Sequence, residues 1–182
     1  MVRSLSALQR RVLRIVAVGL LACCWAGTSF GGGASAVVID AVMSTASSAE
    51  QFPSDGTALP TTLPDDWSVT RPRQDGPVWY RASFDLPAGT EPDKLFGLYV
   101  ERACSHVEVH LNGRRVHGER AAAAGPLPRN CWHPQRVMLP AAWLKPTGNL
   151  IDLKVHGHTL PRVASRQRAG GLSPLHIGPS AG

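Results

Sequence analysis

From Ser105 to Leu111 apolar and polar residues alternate strictly, with Val107, Val109 and Leu111 on one side and His106, Glu108 and His110 on the other. A period of two with branched apolar residues marks a half-buried β-strand. Asn112-Gly113 follows at once, and both residues tolerate the positive φ of a type I′ hairpin turn, so Arg114–His117 is expected to return as the partner strand. Leu95–Glu101, just upstream, is apolar and aromatic and reads as another strand. The same period recurs in Asn149–His156, where Leu150 or Ile151, Leu153 and Val155 are apolar among polar neighbours. Val78–Leu86, Gln135–Leu139 and Gly170–Ile177 complete the strand set, and Ala141–Leu144 predicts one helical turn before the turn signal Lys145-Pro146-Thr147-Gly148. Several strands without intervening helices predict an all-β antiparallel sandwich.

Between the strands the pattern fades. Val37–Asp66 is rich in Ser, Thr, Ala and Pro; residues 37–58 are expected to form a flexible lead-in, with Val37–Met43 available as an edge strand. The ordered domain is then expected over residues 59–182, with Leu63–Trp67 near its start. Gly118–Asn130, with an alanine run and two prolines, reads as a long surface loop, and such loops often carry function. Gly157–Ala169 reads as a second, polar loop.

The length of 182 residues suits one domain, and 15 Pro with 18 Gly favour a turn-rich β architecture. The formal charge of +6 hints at nucleic acid, but Arg3, Arg10, Arg11 and Arg14 are four of the nineteen basic residues. The remaining fifteen stand against thirteen acidic residues with no concentrated basic run, so nucleic-acid binding is not expected. Those arginines precede the apolar stretch Ile15–Ala26 and the small residues Ala34-Ser35-Ala36, so residues 1–36 read as an export signal. The apolar run falls short of the ~20 residues that span a bilayer. An uncleaved anchor and a lipoprotein signal, with Leu20-Leu21-Ala22 before Cys23, stay open beside it, and all three place the remainder in the periplasm or beyond. Cys104 and Cys131 are then an even pair in an oxidising compartment and are expected to form a disulfide.

WYRASF, VEVHLNG, LKPTGNLIDLKV and GGLSPLHI occur in that order over roughly Leu59–Pro179. Together they resemble the galactose-binding-like jelly-roll domain at the N-terminus of family-two glycoside hydrolases. ERACS, CWHP and GGLSPLHIGP make the chain more similar still to the extracytoplasmic N-terminal domain of proteobacterial sensor histidine kinases and diguanylate cyclases. The resemblance implies a jelly-roll β-sandwich that binds a carbohydrate, another small ligand or a membrane signalling protein. The 182 residues hold no kinase, cyclase or glycosidase barrel sequence, and in the resembled glycosidases the catalytic pair lies outside this domain. The leading expectation is a non-catalytic sensor-like module; the alternatives are a carbohydrate-binding accessory subunit or a truncated sensor fragment.

Candidate chemistry points the same way. Glu101 and Glu108 are expected on a solvated face or paired with Arg102 or Arg114, and no carboxylate pair for glycoside hydrolysis stands out. Of seven histidines, His106 and His110 share a face about 13 Å apart along a strand, too far for one ion, and His156 with His158 makes at most a two-ligand site. No metal, cofactor or enzymatic activity is expected. Aromatic platforms suit sugars, with Trp67, Trp79, Tyr80, Trp132 and Trp143 as candidates. Trp79 and Tyr80 open a core strand. Trp132 beside Cys131, with Arg129, Asn130 and His133 as polar contacts, is the expected ligand site.

Overall fold

A computed structural model describes residues 36–90, 94–118, 131–163 and 168–180. Within them run β1 (Val37–Ile39), β2 (Ala41–Ala46), β3 (Leu59–Thr62), β4 (Asp65–Asp66), the single turn α1 (Trp67–Thr70), β5 (Pro77–Phe84), β6 (Phe96–Val100) and β7 (Ala103–Cys104). There follow β8 (His106–Leu111), β9 (Arg114–His117), β10 (Gln135–Leu139), a 3-10 turn at Ala141–Trp143, β11 (Asn149–His156), β12 (Gly171–Leu172) and β13 (Leu175–Pro179). A six-stranded sheet has the order β3-β2-β5-β11-β8-β9, a four-stranded sheet the order β1-β13-β6-β10, and β4-β12-β7 form a short third sheet. All pairings are antiparallel.

The alternation read from sequence sets the core. Val107, Val109 and Leu111 of β8, Ile151, Leu153 and Val155 of β11, and Val78, Tyr80, Ala82 and Phe84 of β5 point inward. They meet Phe96, Leu98 and Val100 of β6, Val137 and Leu139 of β10, and Leu175 and Ile177 of β13 in one apolar cluster. The hairpin forms as its sequence predicts, with Asn112 at φ +50° and Gly113 at φ +81°, and a bulge between Val109 and His110 twists the edge.

Two expectations are corrected. The residues read as a flexible lead-in, 37–58, are built into the sandwich: β1 is an edge strand on β13, as anticipated, but β2 lies inside the larger sheet between β3 and β5. Short polar side chains hid β2, because Ser44 and Thr45 are buried as hydrogen-bonding groups, to Thr61 and Thr57. The ordered domain therefore starts near Val37 rather than Leu59. The last strand is also two: Ser173-Pro174 interrupts it, and β12 pairs with β4 and β7 while β13 pairs with β1 and β6.

Trp67 fastens the connecting segments to the core. Its indole is fully buried and donates from Nε1 to the Tyr80 hydroxyl at 2.7 Å, and that hydroxyl donates to Asp65 Oδ2 at 2.7 Å. Arg71 Nε donates to the same carboxylate at 3.1 Å and its Nη2 reaches Ser44 Oγ at 2.6 Å. Asp66 caps α1 by accepting from Ser68 N at 3.0 Å. A Cβ on Gly157 would lie 2.5 Å from the ring, and one on Gly170 would overlap it. Gly171, at φ +141°, lies against the Asp65 carbonyl. The Gly170-Gly171 pair is thus required by Trp67 on one side and Asp65 on the other.

Cys104 and Cys131 form the expected disulfide, 27 residues apart in sequence. Among the described residues no helix is long and apolar enough to cross a membrane. Residues 1–35, with Cys23 and the expected export signal, lie outside the described residues.

Gly170→Ala is expected to destabilise by about 2–4 kcal/mol, beyond the ordinary helix or strand penalty, because the indole it displaces is itself buried. Tyr80→Phe, which leaves Asp65 and Trp67 each short of a partner, is expected to lose about 1–3 kcal/mol. Urea unfolding reads both, and an unchanged midpoint in either variant sinks the fastening role. Reduction of the disulfide is expected to lower stability by about 3 kcal/mol on chain-entropy grounds, seen as a lower midpoint with dithiothreitol present.

Candidate functional site

The outward face of the larger sheet is where the polar halves of β5, β8 and β11 converge. Register places Arg81 opposite Asp152, Trp79 opposite Lys154, Lys154 opposite Glu108, Asp152 opposite His110, and His156 opposite His106. A solvated face is the simple expectation for such residues, and it is overturned: Glu108 is 4% exposed, His110 7%, Asp152 2% and Lys154 7%. The cover is the segment after β2. Trp79 Nε1 donates to the Ala49 carbonyl at 3.2 Å, and Lys154 Nζ donates to the carbonyls of Ser48 and Ala49 at 3.2 and 2.7 Å. Phe52 packs edge-on to Trp79 with the Arg81 guanidinium 4.1 Å above its ring.

Burying charge is costly unless it is paired. Arg81 and Asp152 meet that need with a two-pronged contact at 2.6 and 2.8 Å, which holds the guanidinium above its ordinary pKa. Lys154 is held by the two carbonyls and lies 5.4 Å from the Trp79 ring. Glu108 is different. Its Oε1 lies 3.4 Å from His156 Nε2, its Oε2 lies 3.9 Å from His110 Nε2, and Oε1 and both imidazole nitrogens are buried without a hydrogen bond. These atoms face the cavity and can give hydrogen bonds to, or accept them from, a polar guest.

Space for one is present. Glu108, His110, Lys154 and His156 line a cavity of about 560 Å³ whose wall includes Gln51 and whose exposed members include Glu50 and Arg115. Burial holds the pKa of His110 below the ordinary imidazole value, against the attraction of Glu108 and Asp152 and with the help of Arg115. Burial likewise lowers that of His156, with Lys154 and His106 in the same direction and Glu108 opposed. At neutral pH the cavity thus offers a carboxylate between two uncharged imidazoles. Among the described residues no group of three His, Cys, Asp or Glu is arranged to hold a metal ion.

The expected site lies elsewhere. Trp132 is 68% exposed and His133 is exposed, while Arg129 and Asn130 lie outside the described residues. Trp67, Trp79 and Tyr80 are core groups with no exposed face, and Trp143 is half-buried with Arg114 5.3 Å from its ring. Another cavity, of about 580 Å³, opens between Leu86, Pro87, Phe96 and Leu144, but no buried side-chain polar atom lacking a partner lines it among the described residues. The sequence separates His106 from His110 correctly. It does not reveal that the pairing of β11 with β8 brings His156 to within 5.6 Å of the His106 ring and beside Glu108.

No protein-family model and no curated protein matches the chain. Solved structures match its fold. A glycosyl hydrolase family 2 member from Bacteroides cellulosilyticus is similar with a TM-score of 0.57 at 17% identity, over 79% of this chain and 20% of that one. A beta-galacturonidase from Eisenbergiella tayi gives 0.58 at 11%, over 81% and 25%, and a Bifidobacterium dentium beta-glucuronidase 0.56 at 16%, over 80% and 30%. The fold is the galactose-binding-like jelly roll. Identities this low establish the jelly roll alone, and the chain spans under a third of the length of each of these enzymes. Within this jelly roll, the polar cavity lies over the outward face of the six-stranded sheet.

An imidazole held below its ordinary value near 6.5 takes up a proton more readily in the unfolded chain. The unfolded chain then binds more protons, so the stability contributed is full above about pH 6.5 and is lost as pH falls through the folded-state value. The urea midpoint is expected to drop between pH 7 and pH 5, and the double variant His110→Gln/His156→Gln to flatten that drop. A midpoint that rises on acidification contradicts the assignment of neutral histidines.

Proposed function

We propose that this chain is an exported, non-catalytic carbohydrate-binding module that serves as an accessory to glycan processing. The observation that carries the reading is Glu108: a buried carboxylate with unfilled hydrogen-bonding capacity, flanked by two imidazoles, on the wall of a cavity large enough for a sugar ring. Sugar hydroxyls donate and accept at once, which suits a carboxylate acceptor beside imidazoles that each offer one donor and one acceptor. The fold neighbours support the same direction, since the glycosidases named above act on glycosides and share this sandwich. The resemblance to sensor domains, and with it a membrane signalling partner, draws no support from those neighbours.

The non-catalytic part rests on the arrangement of acids. Hydrolysis sets two carboxylates on either side of the scissile bond. Here Glu108 is deep in the cavity and Glu50 is exposed on the covering segment.

Calorimetric titration of the oxidised protein with a panel of mono- and oligosaccharides tests the reading. Binding is expected for a subset, weakened at least tenfold in Glu108→Gln and unchanged in Trp132→Ala. Absence of binding across the panel, with cooperative unfolding intact, sinks it. Loss of binding in Trp132→Ala alone returns the site to the exposed tryptophan, and turnover of a nitrophenyl glycoside abolished by Glu108→Gln overturns the non-catalytic part.

A further inference from the structure

The four-stranded sheet carries a smaller depression on its own outward face, built by two successive rungs. Leu98 and Val100 of β6 point into the core, so Gly97 and Tyr99 face outward. Register sets Tyr99 between His176 of β13 and Arg136 of β10, and Gly97 between Gly178 and Met138 of the same strands. The first rung is a wall of large side chains. The His176 ring lies 5.9 Å from that of Tyr99, and the Arg136 guanidinium lies 5.9 Å from the same ring on its other flank. The second rung is a floor of two glycines, rimmed by Met138 and Ser180, and the space above it is about 310 Å³.

A glycine inside a strand gives up packing and costs backbone entropy, so each one needs a reason. Gly178 has one, since a Cβ there would lie 2.9 Å from the Ala36 side chain. Gly97 has none within the described chain. Its backbone is not left-handed, and a Cβ would meet nothing nearer than the Val137 carbonyl oxygen at 3.6 Å, an ordinary contact. What the missing side chain keeps open is the floor beside Tyr99. The charge beside that floor is also unused: Arg136 is exposed on the edge strand β10 and makes no ion pair among the described residues. No acidic side chain lines the depression among them.

We infer that this depression is a second sugar site that takes uronic-acid units, with the ring over Gly97 and against Tyr99 and its carboxylate on Arg136. An aromatic wall with a few convergent polar groups suits the apolar face of a pyranose. The guanidinium fork matches a carboxylate on two prongs, which an ester or a hydroxyl cannot reproduce. Solvent screens the exposed arginine, so single uronates are expected to bind in the millimolar range. The depression and the Glu108 cavity lie over different sheets, so each stands or falls alone.

Heteronuclear NMR on the full protein reads the site directly, because Gly97, Tyr99 and Gly178 each report through a backbone amide. D-galacturonate and D-glucuronate are titrated at neutral pH, each beside its uncharged methyl ester. At least one uronate is expected to move these three amides saturably, with its ester binding about fivefold or more weakly. Arg136→Gln is expected to cut the uronate affinity by a similar factor, and Glu108→Gln to leave it unchanged. Gly97→Ala is expected to keep or raise the urea midpoint, since the added methyl has room, and still to weaken binding about fivefold or more. Tyr99→Ala, checked as folded by its own unfolding transition, is expected to abolish the shifts. Uronates that leave the three amides unmoved, or move amides around Glu108 alone, overturn the inference. So does an ester that binds as well as its acid, a Gly97→Ala protein that binds like the unaltered one, or a sharply lowered midpoint in that variant. None of these results bears on Glu108, whose reading is decided by its own titration.

Discussion

The short segments β4, α1 and β12 depend on where the Trp67 indole lies. Long strands find their place through alternation, but β4, α1 and β12 are too short for any pattern to hold them. They are held instead by one buried ring with a hydrogen bond to Tyr80, and by one carboxylate, Asp65, that answers Tyr80 and Arg71. Tyr80 is itself a core residue of β5, and burial beside Asp65 raises its phenol far above the ordinary range, so it stays a donor throughout. The ring therefore ties the irregular segments to the most regular part of the fold. Gly157 and Gly170 are the counterpart in the later half of the chain, since the indole occupies the space their side chains would need.

The same sheet carries a second layer of constraint on its other side. Phe52, Trp79 and Lys154 hold the segment after β2 across the outward face, where Trp79, Glu108, His110, Asp152 and Lys154 are buried. Once water is excluded, each charge needs a fixed partner. Arg81 with Asp152 and Lys154 with two carbonyls satisfy that need within the chain. Glu108 does so only at the long range of 3.4 and 3.9 Å. Among the described residues the other buried charges are paired closely, whereas Glu108 is answered at longer range and stands beside a cavity, which is what makes that cavity the candidate site.

Alternation in β8 and β11, the Asn112-Gly113 turn and the disulfide between Cys104 and Cys131 were legible in the sequence because each is a local signal or a count. The strand β2 was not, because Ser44 and Thr45 look like loop residues until the hydrogen bonds that bury them are known. The candidate site was legible in its parts alone. His106, Glu108 and His110 share a face by period, but sequence cannot report that β11 rather than β9 lies on the side that brings His156 to Glu108, nor that residues 48–52 close over them. Trp132, an aromatic beside a cysteine, is exposed and does not line that cavity.

Strand β8 shows how little separates structure from function here. Its residues alternate between Val107, Val109 and Leu111 in the apolar core and His106, Glu108 and His110 toward the cavity, so one register serves both. A shift of a single residue against β11 would drive Glu108 into the core and Val109 to the outward face. The apolar face makes that slip prohibitive, since it would bury a carboxylate against Leu153 and Leu98. The cavity therefore inherits its geometry from the core: the hydrophobic contacts that fix β8 against β11 also fix Glu108 opposite Lys154 and beside His156. A site built this way is preorganised without the cover having to position it, and the cover's part is to exclude water from charges already in place.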